Sequence, residues 1–467
     1  MRVSLTVKRS SRIVILSIAQ LFFCGCNAPK DQLKEFNKLF ACCEFEKCSI
    51  YAQQRMSNKN NPAGEDLMWA LQAGTVERIR GNYAASSELF DKSEEMMIYY
   101  DYQNRLTDGI GATIVNDNAL PYRGEEYDGI MVNTYKAINF MIEGKQELAR
   151  VEFNRALDRQ RRAKIKFSEE IQKLEERMAK QGKKENELAG QSAMNPAVQK
   201  AISSKYPGIY NYEVYPDFVN PFSTYLAGIY FNLIGEHSKA IDLLKESYGM
   251  VSNNKYIAED FRETEEILSG NGSLENTVWV IFENGLGPVR EEIRIDLPLF
   301  IATNRIKYVG IALPKLALRD KACQYLTIEA DGREYQTELV ADMDKVVQTE
   351  FSKDYKGILT RAIVSATAKA VAQYVVEQQG SDAATIASIA AAIYSFATTA
   401  ADVRIWTTLP KEFQTARFEK PEDSKVVIKP GGSQASVSVD IPSCNNAIVY
   451  VRIVTQGMNP KIEVIKF

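Results

Sequence analysis

The sequence has a single histidine among its 467 residues, His237. A Ser-His-Asp or Cys-His catalytic centre would have to recruit that residue, and a histidine-rich metal site is excluded by count. His237 follows the turn glycine Gly235 by two residues, so we expect it to face solvent or to cap a helix. No other residues form a catalytic, metal-binding or cofactor-binding pattern, and we predict that the protein is not an enzyme.

The chain also lacks a strong excess of one charge. It has 57 basic and 60 acidic residues, and 53 basic and 60 acidic residues remain when positions 1–25 are removed, a net charge of −7. Such a surface has no general attraction for nucleic acid or anionic lipid, which disfavours nucleic acid as a partner. The hydrophobic and charged fractions, 45% and 25%, are typical of a globular protein.

Long hydrophobic runs are scarce. The one segment after the leader that resembles a membrane span is 383–401, which carries no charge. It consists mainly of Ala, Ser and Thr, and alanine contributes little free energy of transfer into lipid. We therefore predict a helix packed inside the protein, as part of a helical insertion at about 346–401.

Cysteines are few and uneven in their distribution. Beyond the leader there are five: Cys42, Cys43, Cys48, Cys323 and Cys444. In an oxidising compartment some of them are expected to pair, first of all within the cluster of three, and an odd number leaves at least one thiol free. Zinc binding by this cluster is disfavoured, because vicinal cysteines rarely chelate one tetrahedral ion.

Residues 1–26 have the order of a secretory signal peptide. A basic start precedes an apolar stretch, 13–23, which is too short to span a membrane, and Cys24-Gly25-Cys26 follows. A cysteine at this position resembles the lipobox of bacterial lipoproteins. The resemblance implies cleavage after residue 25 and lipidation of Cys26, with palmitate-type acyl chains as the anchor. Asn27 in the next position implies the outer membrane, and an ordinary secretory peptide is the alternative.

Residues 26–270 are predicted to be helical, with a pattern that resembles tetratricopeptide repeats (TPR). In each of three units a turn glycine is followed by a small residue five positions later, a large one at nine and a small one at twelve. The units are Gly81/Ser86/Phe90/Ser93, Gly144/Ala149/Phe153/Ala156 and Gly235/Ala240/Leu244/Ser247. Generic helical hairpins are the alternative interpretation.

A long charged helix is predicted from about 150 to 184, followed by a polar, mobile excursion at about 181–199. A helix of this kind is either a partner-binding arm or a solvated face, and the sequence leaves both open. We name Tyr83, Arg155, Arg159 and Arg162 as candidate partner-binding residues.

A β-rich domain, 275–467, follows the turn-rich linker 269–273. Short alternating strands predict an antiparallel β-sandwich-like domain, and Asp331-Gly332 predicts a hairpin. The segment 284–288 (NGLGP) is also interpreted as a hairpin turn. Asp342 and Asp344 precede a helix and are expected to cap it, with a metal-binding or acid–base carboxylate pair as the alternative. The whole chain is thus predicted to be α+β.

Several strings resemble a poorly characterised family of bacterial envelope lipoproteins. They are 149–156 (ARVEFNRA), 158–163 (DRQRRA), 220–222 (NPF), 284–288 (NGLGP) and 403–410 (VRIWTTLP). The resemblance covers about 65–467 and implies an anchored protein with a TPR-like N-terminal half and a mixed C-terminal half. It brings no reaction and no ligand. Some relatives are associated with lipoproteins that activate penicillin-binding proteins, which suggests a role in the cell wall.

The leading hypothesis is a lipid-anchored scaffold of the cell envelope that binds envelope proteins through its TPR-like helices. A second hypothesis is an enzyme that acts on cell-wall glycan with two carboxylates, which needs no histidine. A third is an oligomeric pore or secretion component in which 383–401 lines the assembly. Two carboxyls in a cleft, one of them with a raised pKa, would favour the second hypothesis.

Overall fold

The computed structural model describes residues 29–56, 66–107, 121–180, 195–207, 212–215, 220–301, 305–378, 400–433 and 435–467. In these ranges the chain is α+β, with helices in the N-terminal half and mixed and antiparallel sheets in the C-terminal half. Cys26 lies outside the described residues, as do most of the predicted excursion and most of the uncharged segment 383–401.

The described helices lie in two parts of the chain, 29–268 and 343–378. They are α1 (Pro29–Ala41), α2 (Phe45–Gln53), α3 (Asp66–Ile79), α4 (Tyr83–Thr107), α5 (Glu126–Ile142), α6 (Gln146–Lys180), α7 (Pro196–Lys205), α8 (Pro221–Leu233), α9 (His237–Met250), α10 (Lys255–Leu268) and α11 (Met343–Gln378). The long charged helix is α6, with 35 residues. The helical insertion begins with α11, three residues before its predicted start.

The described strands form three sheets. They are β1 (Thr277–Asn284), β2 (Val289–Ile301), β3 (Arg305–Ala317), β4 (Leu326–Ala330), β5 (Arg333–Gln336), β6 (Glu338–Asp342), β7 (Glu412–Glu419), β8 (Lys425–Pro430), β9 (Val437–Asp440), β10 (Ala447–Ile453) and β11 (Lys461–Lys466). A five-stranded sheet has the order β11-β10-β1-β7-β6, a four-stranded sheet the order β5-β4-β8-β9, and β2 pairs with β3 alone. Only β1 and β10 pair in parallel.

Two turn predictions differ in outcome. Asp331-Gly332 joins the antiparallel strands β4 and β5, with φ of +47° and +71° at the two residues, so the predicted hairpin is confirmed. The interpretation of 284–288 as a hairpin is wrong, because β1 belongs to the five-stranded sheet and β2 to the separate pair. The segment carries the chain between two sheets.

The three predicted turn glycines close three helical hairpins, α3/α4, α5/α6 and α8/α9. Gly81, Gly144 and Gly235 have φ of +84°, +71° and +83°, a left-handed conformation that strongly favours glycine. The same two hydrogen bonds close each preceding helix. At Gly144, for example, its N–H donates to Met141 O at 3.1 Å, and the next N–H donates to Phe140 O at 2.8 Å. The three helical hairpins therefore share one turn geometry.

The residues that the repeat pattern selects after each glycine are all buried. The nine side chains, each at most 1% exposed, are Ser86, Phe90, Ser93, Ala149, Phe153, Ala156, Ala240, Leu244 and Ser247. Gly74 of α3 packs so closely against Phe90 that an added Cβ would lie 2.5 Å from the ring. A small residue on the first helix and a large one on the second thus set the close approach within the pair.

We expect Gly144→Ala to lower the free energy of unfolding by about 1–2 kcal/mol, because alanine is strained at positive φ. No atom lies within 4 Å of the added Cβ, so the effect is conformational and not steric. Gly249→Ala, near the end of α9 and equally free of contacts, is the matched control and should raise stability by up to about 1 kcal/mol. Equal effects of the two substitutions in urea unfolding would contradict this account.

The core is shared between helices and sheets. β1 is buried on both faces: Trp279 and Ile281 join a cluster with the helices, while Val278, Val280 and Phe282 join a second cluster with the four-stranded sheet. The described part of the molecule is thus layered, with helices, five-stranded sheet and four-stranded sheet in that order. The boundary near residue 270 separates two kinds of secondary structure but not two hydrophobic cores.

A buried carboxylate joins the helices to the central strand. Glu283, at the end of β1, has no solvent exposure. Its Oε2 accepts hydrogen bonds from Arg78 Nη1 and the Tyr450 hydroxyl, both at 2.9 Å. Its Oε1 accepts one from the Tyr135 hydroxyl at 2.7 Å and lies 3.4 Å from Arg452 Nε. Helices α3 and α5 and strand β10 therefore all contact the Glu283 carboxylate of β1.

The two arginines keep this carboxylate ionised. Burial alone raises the pKa of Glu283, but the charges of Arg78 and Arg452 outweigh that effect and hold the pKa below its ordinary value. The Arg78 guanidinium also lies over the rings of Tyr135 and Tyr450, 4.5 and 4.7 Å from their centroids. These cation–π contacts give the cation a second set of partners in the dry interior.

Glu283→Gln is expected to lower the free energy of unfolding by about 3–5 kcal/mol, because it leaves two buried guanidinium groups without a counter-charge. Glu88→Gln, at an exposed position of α4, is the matched control and should change stability by less than about 0.5 kcal/mol. The measurement is urea unfolding of both variants. A loss at Glu283 no larger than at Glu88 would show that this cluster does not connect the two halves.

Candidate functional site

An open cleft of about 430 Å³ lies between α6 and α9, and we call it the α6–α9 cleft. Helix α9 supplies Lys239. Helix α6 supplies the rest of the lining: Val151, Asn154, Arg155, Leu157, Asp158 and Arg161. The cleft therefore includes one of the four candidate partner-binding residues, Arg155.

The periodicity of α6 explains why these side chains are available. Between residues 146 and 165 its buried positions are 149, 152, 153, 156, 160 and 163, and its exposed positions are 147, 148, 150, 151, 154, 155, 158, 161, 162 and 165. Spacings of three and four place each set on one side of a helix. The buried side packs in the core, and the opposite side, which includes the cleft-lining residues, is open to solvent.

Part of the open side is apolar. Val151 is 44% exposed, and Leu148, one turn earlier, is 47% exposed. In a helix, residues three apart are neighbours, so the two side chains form a small aliphatic step at one end of the cleft.

The charged groups of the cleft differ in whether they contact a group of opposite charge. Arg155 donates to Glu152 Oε1 at 2.8 Å, and Arg161 donates to Asp158 Oδ1 at 3.2 Å. The partners of Lys239 in the described part of the chain are neutral: its ammonium donates to Asn154 Oδ1 and lies 3.7 Å from the centroid of the Phe231 ring. Among the described residues no carboxylate lies within ion-pair distance of Lys239.

Neighbouring cations reinforce this imbalance. Burial is the main cause that lowers the pKa of Lys239; Glu236 opposes the shift, and the positive charges of Arg150 and Arg161 add to it. Three cations and one carboxylate line the cleft, so it is a basic site on a protein whose predicted mature chain is acidic.

The other candidate residues have different surroundings. Arg159 is half-buried against the neighbouring helices, where it donates to Asn133 Oδ1 at 2.8 Å and Glu94 Oε1 at 2.9 Å. Tyr83 begins α4 and is half-buried; burial and a hydrogen bond with Glu463 of β11 raise its pKa. Arg162 is exposed on the open side of α6. Arg155 and Arg162 are thus exposed to solvent, whereas Arg159 and Tyr83 connect parts of the protein to each other.

Sequence analysis missed Lys239 and Val151 as site residues. A usable signal existed for Val151, because an aliphatic residue at an exposed position of a charged helix breaks the pattern. Lys239 gave no signal, since a lysine near the start of a repeat helix is ordinary and its position opposite α6 is a tertiary property.

The remaining sequence predictions concern caps and thiols. Nδ1 of His237, half-buried at the start of α9, lies 2.6 Å from Asn232 Oδ1. Asp342 Oδ1 accepts hydrogen bonds from the N–H groups of Asp344 and Lys345, so its expected capping role is confirmed. Asp344 instead forms an ion pair with Lys411, and burial raises its pKa to about 6.

All five cysteines beyond the leader are free thiols, so the pairing expected among Cys42, Cys43 and Cys48 is not present. Cys48 is buried, and burial raises the pKa of its thiol to about 12. Cys42, in contrast, is exposed. The two thiols therefore differ in their access to solvent.

A group of acidic residues surrounds the start of α5. Oxygen atoms of Glu125, Glu350 and Asp354 lie within 4.8 Å of one another. Both Glu350 oxygens accept backbone N–H groups, from Glu126 at 2.6 Å and Tyr127 at 3.2 Å. Burial raises the pKa of Glu350 well above its ordinary value.

This acidic group contributes to the fold. Glu125 pairs with Arg290 Nη2 at 2.6 Å, and Glu350 accepts the N–H groups at the start of α5, so both carboxylates already have partners within the protein. The adjoining cavity, of about 10 Å³, has room for one water molecule and not for a sugar ring.

Comparison with known proteins gives no matching family model, no matching curated protein and no matching solved structure. Among the described residues, every helix is too short or too polar to cross a membrane.

Proposed function

We propose that this protein is a lipid-anchored scaffold of the bacterial cell envelope, held by acylated Cys26 and facing the periplasm from the outer membrane. Its TPR-like helical hairpins bind envelope proteins, and its β-rich part, with a sandwich-like pair of sheets, supports them. A contribution to cell-wall or outer-membrane maintenance follows from the family resemblance.

The observation that carries the proposal is the open side of α6. Three hairpins share one turn and one packing scheme, which makes a rigid helical layer. On this layer α6 presents exposed aliphatic and basic side chains above a cleft, and a scaffold of helical repeats binds peptides or helices on such a surface.

The partner-binding part of the proposal is tested with a photo-reactive phenylalanine derivative at Val151, activated in living cells. We expect discrete adducts with the same envelope protein in repeated experiments, identified by mass spectrometry. The control position is Leu318, 54% exposed and outside the cleft, which should give none of these adducts. Labelling that is equal at both positions, or absent at Val151, would overturn partner binding through α6.

The anchoring part is tested separately by mass spectrometry of the purified protein. We expect an acylated N-terminus at Cys26, where the acyl chains supply stable membrane attachment. Cys26→Ser should remain unacylated, whereas Cys24→Ser, two residues earlier, should be processed like the wild type. An unmodified chain that begins at Met1 and fractionates with the cytosol would refute the anchor.

A further inference from the structure

We propose that the α6–α9 cleft recognises an acidic segment of the partner protein that also carries aliphatic side chains. The inference rests on the proposed function and adds to it the chemistry of the bound segment. Its basis is the combination of an unneutralised cation, two further basic residues and an adjacent aliphatic step in one open cleft.

Lys239 has no ion-pair partner among the described residues. Its ammonium bonds to an amide oxygen of Asn154 and lies over the Phe231 ring, and neither partner has a negative charge. Arg161 is 74% exposed. Its one described ion pair is with Asp158, whose side chain is 60% exposed. Solvated pairs of this kind are weak, so a ligand carboxylate can compete for the guanidinium at small cost.

The remaining basic residues add to the same field. Arg155 is 52% exposed, and its Nη1 lies 2.8 Å from Glu152 Oε1 and 3.7 Å from Glu94 Oε2. Arg162 is exposed two turns further along α6, next to Arg161. A segment that follows the cleft along α6 therefore passes positive charges two turns apart, with Asp158 between them, and the excess of positive charge favours carboxylates over basic side chains.

Aliphatic residues in the segment have a place as well. Val151 and Leu148 are nearly half exposed, and covering them removes apolar surface from water. An entirely acidic chain would leave this step uncovered, and an entirely apolar one would cover Lys239 without supplying a counter-charge. Mixed acidic and aliphatic composition satisfies both.

The test uses the full-length protein purified in detergent from membranes and three probe peptides of equal length. The peptides share one pattern of leucines and carry Glu, Gln or Lys at the remaining positions. We expect the Glu/Leu peptide to bind at least tenfold more tightly than the Gln/Leu peptide in fluorescence anisotropy, and the Lys/Leu peptide to bind more weakly still. Equal binding of all three would overturn the inference.

Variants place the binding on the cleft. The double substitution Arg161→Glu with Lys239→Glu should weaken Glu/Leu binding by at least tenfold. The matched control, Lys200→Glu with Lys245→Glu, changes net charge equally at exposed positions outside the cleft lining and should leave binding within about twofold. Equal loss in both would show a general charge effect and would also overturn the inference.

The in-cell adducts at Val151 separate this inference from the proposed function. An adduct on an acidic, aliphatic segment of an envelope protein supports both. An adduct on a neutral or basic segment retains the scaffold and removes the acidic ligand. Adducts only with a second copy of this chain would remove both, because the cleft would then be a contact between copies.

Discussion

The buried carboxylate of Glu283 is the interaction on which the arrangement of the two halves depends. It is the last acidic group of the central strand, and it collects donors from α3, α5 and β10 in one place. Hydrophobic packing has no direction, so it cannot by itself decide how a helical layer lies on a sheet. Three hydrogen bonds and the nearby charge of Arg452 supply that information, because together they fix the positions of α3, α5 and β10 around one carboxylate.

Close backbone approaches within the β-rich half lie next to this cluster. A Cβ on Gly285 would lie 2.7 Å from Asp320 O, and one on Gly287 would lie 2.9 Å from Pro410 O. Arg452 Nη1 donates to the carbonyl oxygens of Glu283, Gly285 and Ile453. The string 284–288 is thus a crossing point of several segments. A glycine pair between strands is typical of a hairpin, and only the sheet pairing shows that this one joins two different sheets.

Another string behaves in the same way. Trp406, in 403–410, donates from Nε1 to Thr75 of α3 at 2.9 Å, and Gln72 donates to Ile405 O at 3.0 Å. These residues are more than 300 positions apart in the chain, so no local pattern indicates the contact. The segment 403–410 is therefore a place where the halves of the molecule meet.

The helical half was largely predictable. A glycine turn and the spacing of buried residues after it are local, and both follow from helix geometry and the left-handed preference of glycine. The long helix α6 was predictable for the same reason, because its charges recur at helical intervals. Which of its arginines are exposed was not, since Arg155 and Arg159 are one turn apart with the same chemistry. Arg155 is 52% exposed and Arg159 only 16%, because Arg159 packs against Glu94 on another helix, and sequence spacing cannot show this.

What the sequence by itself determined is the local order: the helical and β-rich halves, the capped turns, the cap at Asp342 and the expectation of a lipid anchor. Each of these depends on residues within a few positions of one another. What only the tertiary structure decided is the shared core, the charge cluster at Glu283 and the pairing of α6 with Lys239 across the cleft. These depend on distances through space between residues far apart in the chain, and burial and charge compensation set those distances.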